Sequence, residues 1–388
     1  MSGIVLSAAV RQNLLSLQST AELLSTTQNR LASGKKVNTA LDNPTNFFTA
    51  QGLDNRASDI NNLLDAIGNG VQVLQAANTG ITSLQKLVDT ARSIANQVLQ
   101  TTVGYSPKST VSSSAALGGT AANLVDGVTI KVGDLLTIAS TGGGTPTSIT
   151  FGANESLDQL NAALGPNNLS AGLDANNKLV ITTLNDAASK TIGAVTYTNS
   201  GGGTVTFGAV NPPIADVNSQ VTRANLVAQY NNIIAQITTT SQDASFNGIN
   251  LLNGDDLKLT FNETGKSTLN IRGVTYDAAG LGLAPLTAGT DFLDNDSAKA
   301  VIAKISLASD VLRSEASSLG SNLSIVQIRQ DFSKNLIIVL QTGSANLTLA
   351  DSNEEAANSQ ALSTRQSIAV SALALSNQSQ QSVLKLLQ

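Results

Sequence analysis

Several short stretches carry residue types that could do chemistry. Thr264-Gly265-Lys266-Ser267 contains the glycine, lysine and serine of a phosphate loop. Such a loop turns successive backbone N–H groups onto phosphate oxygens and needs a further glycine five positions earlier, where Thr260 stands. The stretch therefore reads as a turn. Ser83-Leu84-Gln85-Lys86 has the spacing of a serine–lysine acylation pair, but no Lys-Thr-Gly or Ser-Asp-Asn accompanies it. It also lies in a run of heptad-spaced apolar residues. Asp294-Asn295-Asp296 and Gly254-Asp255-Asp256 lack the glycine and distal glutamate of a calcium loop and read as helix-start and turn carboxylates. Glu354-Glu355 reads as a negative pair near a helix N-terminus. None of these is predicted to be a catalytic, cofactor or metal site.

Composition points the same way. The 388 residues contain no histidine and no cysteine, so the commonest general base and the thiolate ligands are both missing. Net charge is −5 with no grouped Lys and Arg, which argues against nucleic acid as a partner. Aromatic residues are 3% and charged residues 13%, about half the usual charged fraction. A surface so thin in charge is suited to meeting another protein surface. No segment approaches the roughly 18 apolar residues needed to cross a bilayer, so no membrane insertion is expected. Met1 to Leu6 lacks the pattern of a cleaved secretory signal. Taken alone, that reads as cytoplasmic.

The elements are dominated by helices. Val10, Leu14, Leu17, Ala21, Leu24, Gln28 and Leu31 step by four and three, and only Gln28 is polar. This is one narrow coiled-coil seam, closed by Gly34 at a helix end. A second long helix is expected from Phe47 to about Thr101, with a heptad phase that slips near Thr79-Gly80. From Val103 to about Asn211 the period becomes two. Strands are predicted around Val128–Val132, Leu135–Ile138, Ile149–Phe151, Leu179–Thr183, Ala194–Thr198 and Val205–Phe207, with one helix over Leu157–Leu164 capped by Ser156. A third helix is expected over about Ala215–Thr240, with Val221, Leu226, Tyr230, Ile233 and Ile237 on one side. A turn at Asn247-Gly248 follows, then alternating Leu257, Leu259 and Phe261. A fourth helix is expected over about Ser297–Gln341. The final segment, Asn346–Gln388, has only Arg365 and Lys385 as charges after Glu355. Its wide apolar face holds Ile368, Ala369, Ala372, Leu373 and Leu375. A terminal helix so poor in charge is built to be surrounded by protein.

The run Arg30-Leu31-Ala32-Ser33-Gly34-Lys35-Lys36-Val37-Asn38-Thr39-Ala40-Leu41-Asp42 resembles the R-L-S-S-G-x-R-I-N-S-A-x-D segment of bacterial flagellins. The likeness continues at Asn69-Gly70-Val71, at Arg92 to Gln97, at Ser245-Phe246-Asn247-Gly248-Ile249-Asn250-Leu251-Leu252 and at the closing Val383-Leu384-Lys385-Leu386-Leu387-Gln388. The signature residues are thus Arg30, Gly34, Asn38, Asp42, Phe246, Asn247 and Gly248.

The resemblance implies a mainly α fold with an inserted β-rich domain. Residues 1–34 and 346–388 would form an inner terminal coiled coil, with Val10, Leu14, Leu17, Ala21, Leu24, Leu31, Ile368, Ala372, Leu375, Leu384 and Leu387 as assembly positions. Residues 35–46 would link it to a helical rod of 47–102, 215–276 and 296–345 that carries a β-hairpin. Residues 103–214 would be an outer variable α+β domain and 277–295 a connecting loop. The implied function is a structural, non-enzymatic subunit of the flagellar filament in motility, with no cofactor. Implied partners are copies of itself, hook-associated and cap proteins, the export apparatus and a secretion chaperone. The implied location is outside the cell, after export without a cleaved signal, which overrides the cytoplasmic reading. A hook–filament junction protein, which shares the terminal helices, and a secreted enzyme on a helical scaffold are the competing expectations.

Flagellins read by the animal innate receptor carry Q-R-V-R-E-L-A-V-Q. Here Thr90 stands for the first arginine and Ser93 for the glutamate. Purified monomer is therefore expected to activate receptor-reporter cells weakly, and strong activation would reject that expectation.

Overall fold

Helix α1 (Ala8–Ser33) and helix α6 (Ser352–Leu386) run antiparallel, which brings Arg30 within 3.3 Å of Glu355. The structure is a computed structural model that describes residues 8–386. Helix α1 ends where Gly34 takes φ +68°, a left-handed conformation without Cβ strain only for glycine. The chain after it is stitched to the segment before α6. The Lys36 N–H donates to the Thr348 carbonyl at 2.8 Å, and the Ala350 N–H donates to the Gly34 carbonyl at 3.0 Å.

Helix α2 (Pro44–Gln100) starts three residues before the expected Phe47, because Asn43 accepts the Asn46 N–H at 3.0 Å and Pro44 suits a first helical turn. Helix α5 (Asn295–Thr348) runs past the expected end at Gln341, through Gly343. The side chain of Leu53 lies 3.4 Å from where a Cβ on Gly343 would be. The described chain divides into two compact units. One holds the residues up to Gly70, Lys258–Leu269 and those from Ile325 onward; the other holds Val71–Leu257 and Asn270–Ser324. The expected inner segments fall in the first unit and the expected outer segment in the second; the division passes through the expected rod segments, so α2 and α5 each give one stretch to each unit.

In the first unit, α2 and α5 are antiparallel. Ala57 and Ile60 pack on Ile337 and Leu340, and the Ser344 hydroxyl donates to Asp54 at 2.8 Å. The hairpin of β7 (Leu257–Thr260) and β8 (Thr268–Ile271) has its Leu259 methyl only 2.4 Å from where a Cβ on Gly70 would lie. Arg56 pairs with Glu263 at 2.8 Å, and Arg329 stacks over the Phe261 ring at 5.7 Å.

In the second unit, α2 buries a narrow stripe no longer. Val71, Val73, Leu74, Ala77, Ile81, Leu84, Val88, Ala91, Ile94, Ala95 and Val98 are all buried. The phase slip near Gly80 marks the arrival of a second partner. Ala244 and Leu252 come within 2.6 Å of where its Cβ would be. That partner region follows α4 (Val217–Asp243), which begins two residues later and ends three later than expected. Ile234 and the expected Ile237 are its buried isoleucines, Ile233 is only partly covered, and Val221 is exposed.

The β-rich insert belongs to the same unit. Strands β1 (Thr110–Ser112), β5 (Leu179–Thr183) and β4 (Leu169–Leu173) form one antiparallel sheet in the order β1-β5-β4. Strands β3 (Thr147–Thr150), β2 (Leu135–Ile138) and β6 (Val195–Thr198) form the other, in the order β3-β2-β6. Helix α3 (Leu157–Leu164) is set by the expected Ser156, here with a full capping box to Gln159. The alternations at Val128–Val132 and Val205–Phe207 are not strands. Val128 and Val132 are exposed while Ile130 is buried, because the Asp126 carboxylate accepts the Val128, Thr129 and Ile130 N–H groups and winds the segment into a turn. Burial opposes ionisation there, but these bonds and the Thr129 hydroxyl outweigh it and bring the Asp126 pKa down to about 2.

Arg223 on α4 is 1% exposed and ties this unit together. Its Nε donates to the Thr102 carbonyl at 2.8 Å and Nη1 to the Phe292 carbonyl at 2.7 Å. Nη2 donates to the Val98 and Thr101 carbonyls and to Asn295. A cation thus satisfies the orphan carbonyls at the C-terminus of α2, where the helix dipole also favours it. Burial lowers the Arg223 pKa and the charge of Asp294 opposes that fall. Replacement by alanine would strand these buried acceptors. Arg223→Ala is expected to lower stability by about 3 kcal/mol or more, read by urea unfolding followed by circular dichroism. A loss under about 1 kcal/mol would contradict this role.

Candidate assembly surfaces

The turn after α1 gathers the first signature residues. The Asp42 carboxylate accepts the Asn38 N–H at 2.9 Å, the Thr39 N–H at 2.8 Å and the Thr39 hydroxyl at 3.2 Å. The Asn38 side-chain amide donates to the Ser33 hydroxyl at 2.9 Å. Arg30, Gly34, Asn38 and Asp42 therefore work as one device. They stop α1, reverse the chain and tie it to α6.

The seam between α1 and α6 differs from the expected one. The covered positions of α1 are Val10, Asn13, Leu17, Thr20, Leu24 and Thr27, again spaced three and four. Leu14, Ala21 and Leu31 are exposed. Val10, Leu17 and Leu24 are shared by both phases. The facing stripe of α6 is Glu355, Ser359, Leu362, Gln366, Ala369, Leu373 and Ser376, a regular heptad. Ile368, Ala372 and Leu375 fall one residue before that stripe and are exposed. Leu384 lies within α6, and Leu387 and Met1–Leu6 lie outside the described residues. The pair thus uses a half-polar seam for itself and leaves apolar residues on its outside.

The Phe246–Ile249 turn has the geometry its dipeptide demands. Asn247 and Gly248 take φ +50° and +81°, and Phe246 and Ile249 exchange backbone hydrogen bonds at 3.0 Å each way. Phe246, Asn247 and Gly248 are exposed. The anchor is the next polar residue, Asn250. Its amide donates to the Ser241 and Gln242 carbonyls, both at 2.8 Å, and closes the end of α4.

The residues with chemical potential are used structurally. Gly265 and Lys266 lie in the β7–β8 turn, where Asn262 accepts the Ser267 N–H at 2.9 Å. The Ser83 hydroxyl donates along its own helix to the Thr79 carbonyl at 3.0 Å. Asp294 caps α5 through the Ser297 N–H at 3.0 Å and accepts the Ser189 hydroxyl at 2.6 Å. Asp255 accepts the Asn250 N–H at 2.8 Å, and Asp256 the Gly273 N–H at 3.2 Å. Glu355 meets Arg30. Among the described residues no group of acidic side chains is placed to hold a metal ion, and no helix is long and apolar enough to cross a membrane.

Paired terminal helices, antiparallel α2 and α5 in the first unit and a β-rich insert in the second define a mainly helical protein. Residues 5–126 match the family described as the bacterial flagellin N-terminal helical region, and residues 302–387 the bacterial flagellin C-terminal helical region. The chain belongs to the bacterial flagellins, a family of structural proteins. It is 33% identical over 163 residues to Flagellin FljM and 32% identical over 163 residues to Flagellin FljK, both of Caulobacter vibrioides. Each alignment covers 42% of this chain and 58% of the relative. It is 38% identical over 87 residues to Flagellin A of Rhizobium meliloti, 22% of each chain. The chain thus spans less than two-thirds of the length of the first two relatives.

The Asp42 turn has a defined pH signature. The Thr39 N–H, then the Asn38 N–H, hold the Asp42 carboxyl below its usual value. A folded value below the unfolded one, about 3.9, means the turn's stabilisation is present above that pH and lost as pH falls through the folded value. A carboxyl NMR titration should place Asp42 below the unfolded range. Protection of the Asn38 and Thr39 amides should fall in the same acidic window. Titration of Asp42 at or above the unfolded value would contradict the geometry.

Proposed function

We propose that this chain polymerises with copies of itself into the bacterial flagellar filament and serves motility as a structural subunit, not as an enzyme. The observation that carries this reading is the pair α1 and α6. Its internal seam is interrupted by Asn13, Thr20, Thr27, Ser359, Gln366 and Ser376, while Leu14, Leu15, Leu23, Leu31, Ile368, Val370 and Leu375 stay exposed. A buried leucine contributes about 2 kcal/mol and a half-covered one less, so much of the available apolar surface of both helices is unused within one chain. Neighbouring copies would cover it. A head-to-tail contact of this kind does not close and so extends as a helical polymer.

On this reading the inserted β-rich domain points outward, and residues 1–34 and 346–388 form the inner layer around Val10, Leu17 and Leu24. Export outside the cell without a cleaved signal, and dealings with hook-associated and cap proteins, an export apparatus and a secretion chaperone, complete the proposal. The hook–filament junction reading is not favoured by the family matches.

Ile368→Asp and Leu375→Asp place charge on exposed positions and should leave the monomer's helical circular dichroism unchanged. Negative-stain microscopy, after heat depolymerisation and return to neutral pH, is expected to show filaments from the unaltered chain and none from either variant. Filaments of normal length from both variants would remove these positions from the assembly. No filaments from the unaltered chain, even when seeded, would turn the reading toward a junction protein.

A further inference from the structure

Two apolar features of the first unit face solvent at a fixed separation. The first is a knob. Leu41 is 94% exposed at the tip of the turn that Asp42 holds with its two backbone bonds, directly before the Asn43-capped start of α2. One turn further on, Phe48 is 61% exposed, and its ring is held edge-on by Phe47 with centroids 5.5 Å apart. Both side chains are thus presented to solvent beside hydrogen-bonded backbone. The second feature is a stripe. Ile325, Ile328, Phe332 and Val339 on α5 step by three, four and seven and are all exposed, Phe332 by 58%. The same stretch of α5 buries Val326, Ser333, Ile337 and Leu340. It is therefore a two-faced helix with only one face covered.

The register of the unit separates knob from stripe. Asp54 lies opposite Ser344, and Gly68 opposite Gln330. That antiparallel register sets Phe332 level with residue 66 of α2. Phe48 is eighteen residues away, about 27 Å at 1.5 Å per residue. Within one chain the two cannot meet. A second copy shifted by that distance along the helices would lay its knob on this stripe and offer its own stripe to a third. One stagger satisfies both features of every copy, which a chemically unrelated partner would not do. The stripe positions are uncharged. Asp42, the acid beside the knob, already accepts the turn's own N–H groups, so closing the contact strands no free charge.

We propose that Leu41 and Phe48 of one copy seat against the Ile325–Ile328–Phe332–Val339 stripe of the next. The inference rests on the polymer reading above and assigns the residues that set its axial stagger.

The chain has no cysteine, so Phe48→Cys and Phe332→Cys can be introduced without background. A thiol cross-linker of about 10 Å reach matches the spacing of packed helices and is too short to join the two sites within a chain. Polymer formation is checked first by microscopy, so its failure counts against the polymer reading alone. On polymers of the double variant, a ladder of covalent multimers is expected on a denaturing gel, with none from dilute monomer. Polymers mixed from the two single variants should give dimers and stop there. If the cysteine chains polymerise only when diluted into unaltered chain, the mixed-variant dimer is the readout; Leu41→Cys paired with Ile328→Cys repeats the test without touching either phenylalanine. Polymers that yield neither ladder nor dimer with both pairs would overturn the proposal, as would single variants that cross-link as readily as the mixture.

Discussion

The structure depends on antiparallel pairing between the two halves of one chain. A long helix with an apolar stripe is marginal in water until another surface covers that stripe. Here the first cover is the returning chain. Within the first unit α2 meets α5 with Asp54 beside Ser344, and α1 meets α6 with Arg30 beside Glu355. Both registers follow from where the chain reverses. Gly34 stops α1, Asp42 fixes the turn behind it, and Thr348 to Ala350 receive its backbone bonds. The second unit adds α4 and locks it with a buried guanidinium rather than with more hydrocarbon. Arg223 can do this because the carbonyls ending α2 need donors in any case.

Pairing within the chain covers one face of each terminal helix. The α1–α6 seam alternates leucine with threonine, serine and glutamine, so the pair is specified without being strongly held. Further large apolar residues, such as Leu15, Leu23, Ile368 and Leu375, sit outside that seam. A protein meant to remain a monomer would place leucine throughout the seam and polar residues outside it. On the polymer reading the observed arrangement has a use: neighbouring copies supply the missing cover.

Much of the architecture was legible because it is local. Ser156 and Gln159 set the start of α3, Gly34 the end of α1, and Asn247-Gly248 a tight turn, all through bonds between near neighbours. The phase slip near Gly80 marked a change along α2, and the approach of Ala244 and Leu252 shows that a change of partner accounts for it. Other features depend on residues far apart in the chain. Helical spacing could not tell whether Leu14 or Thr20 faces α6, since both complete a heptad with Val10, Leu17 and Leu24; only the position of the partner decides. Strand β4 contains Ser170, Ala171 and Gly172, poor strand formers, and exists because β5 pairs with it and Asn161 bonds both the N–H and the carbonyl of Ala171. Arg223 gave no signal, because a lone arginine in a polar helix is ordinary until the carbonyls around it are known. The alternation at Val128 to Val132 misled for a similar reason: Asp126 gathers those N–H groups into a turn before any strand can use them.

The central claim is that the outer faces of α1 and α6 wait for copies of the same chain. Hydrogen exchange of their backbone amides, compared between dilute monomer and assembled polymer, tests it most directly. The account predicts fast exchange along both helices in the monomer and many-fold protection in the polymer, while the buried stretch of α2 from Val71 to Val98 is protected in both. Equal protection of α1 and α6 in the two states would mean that their pairing is already complete in one chain, and would contradict the claim.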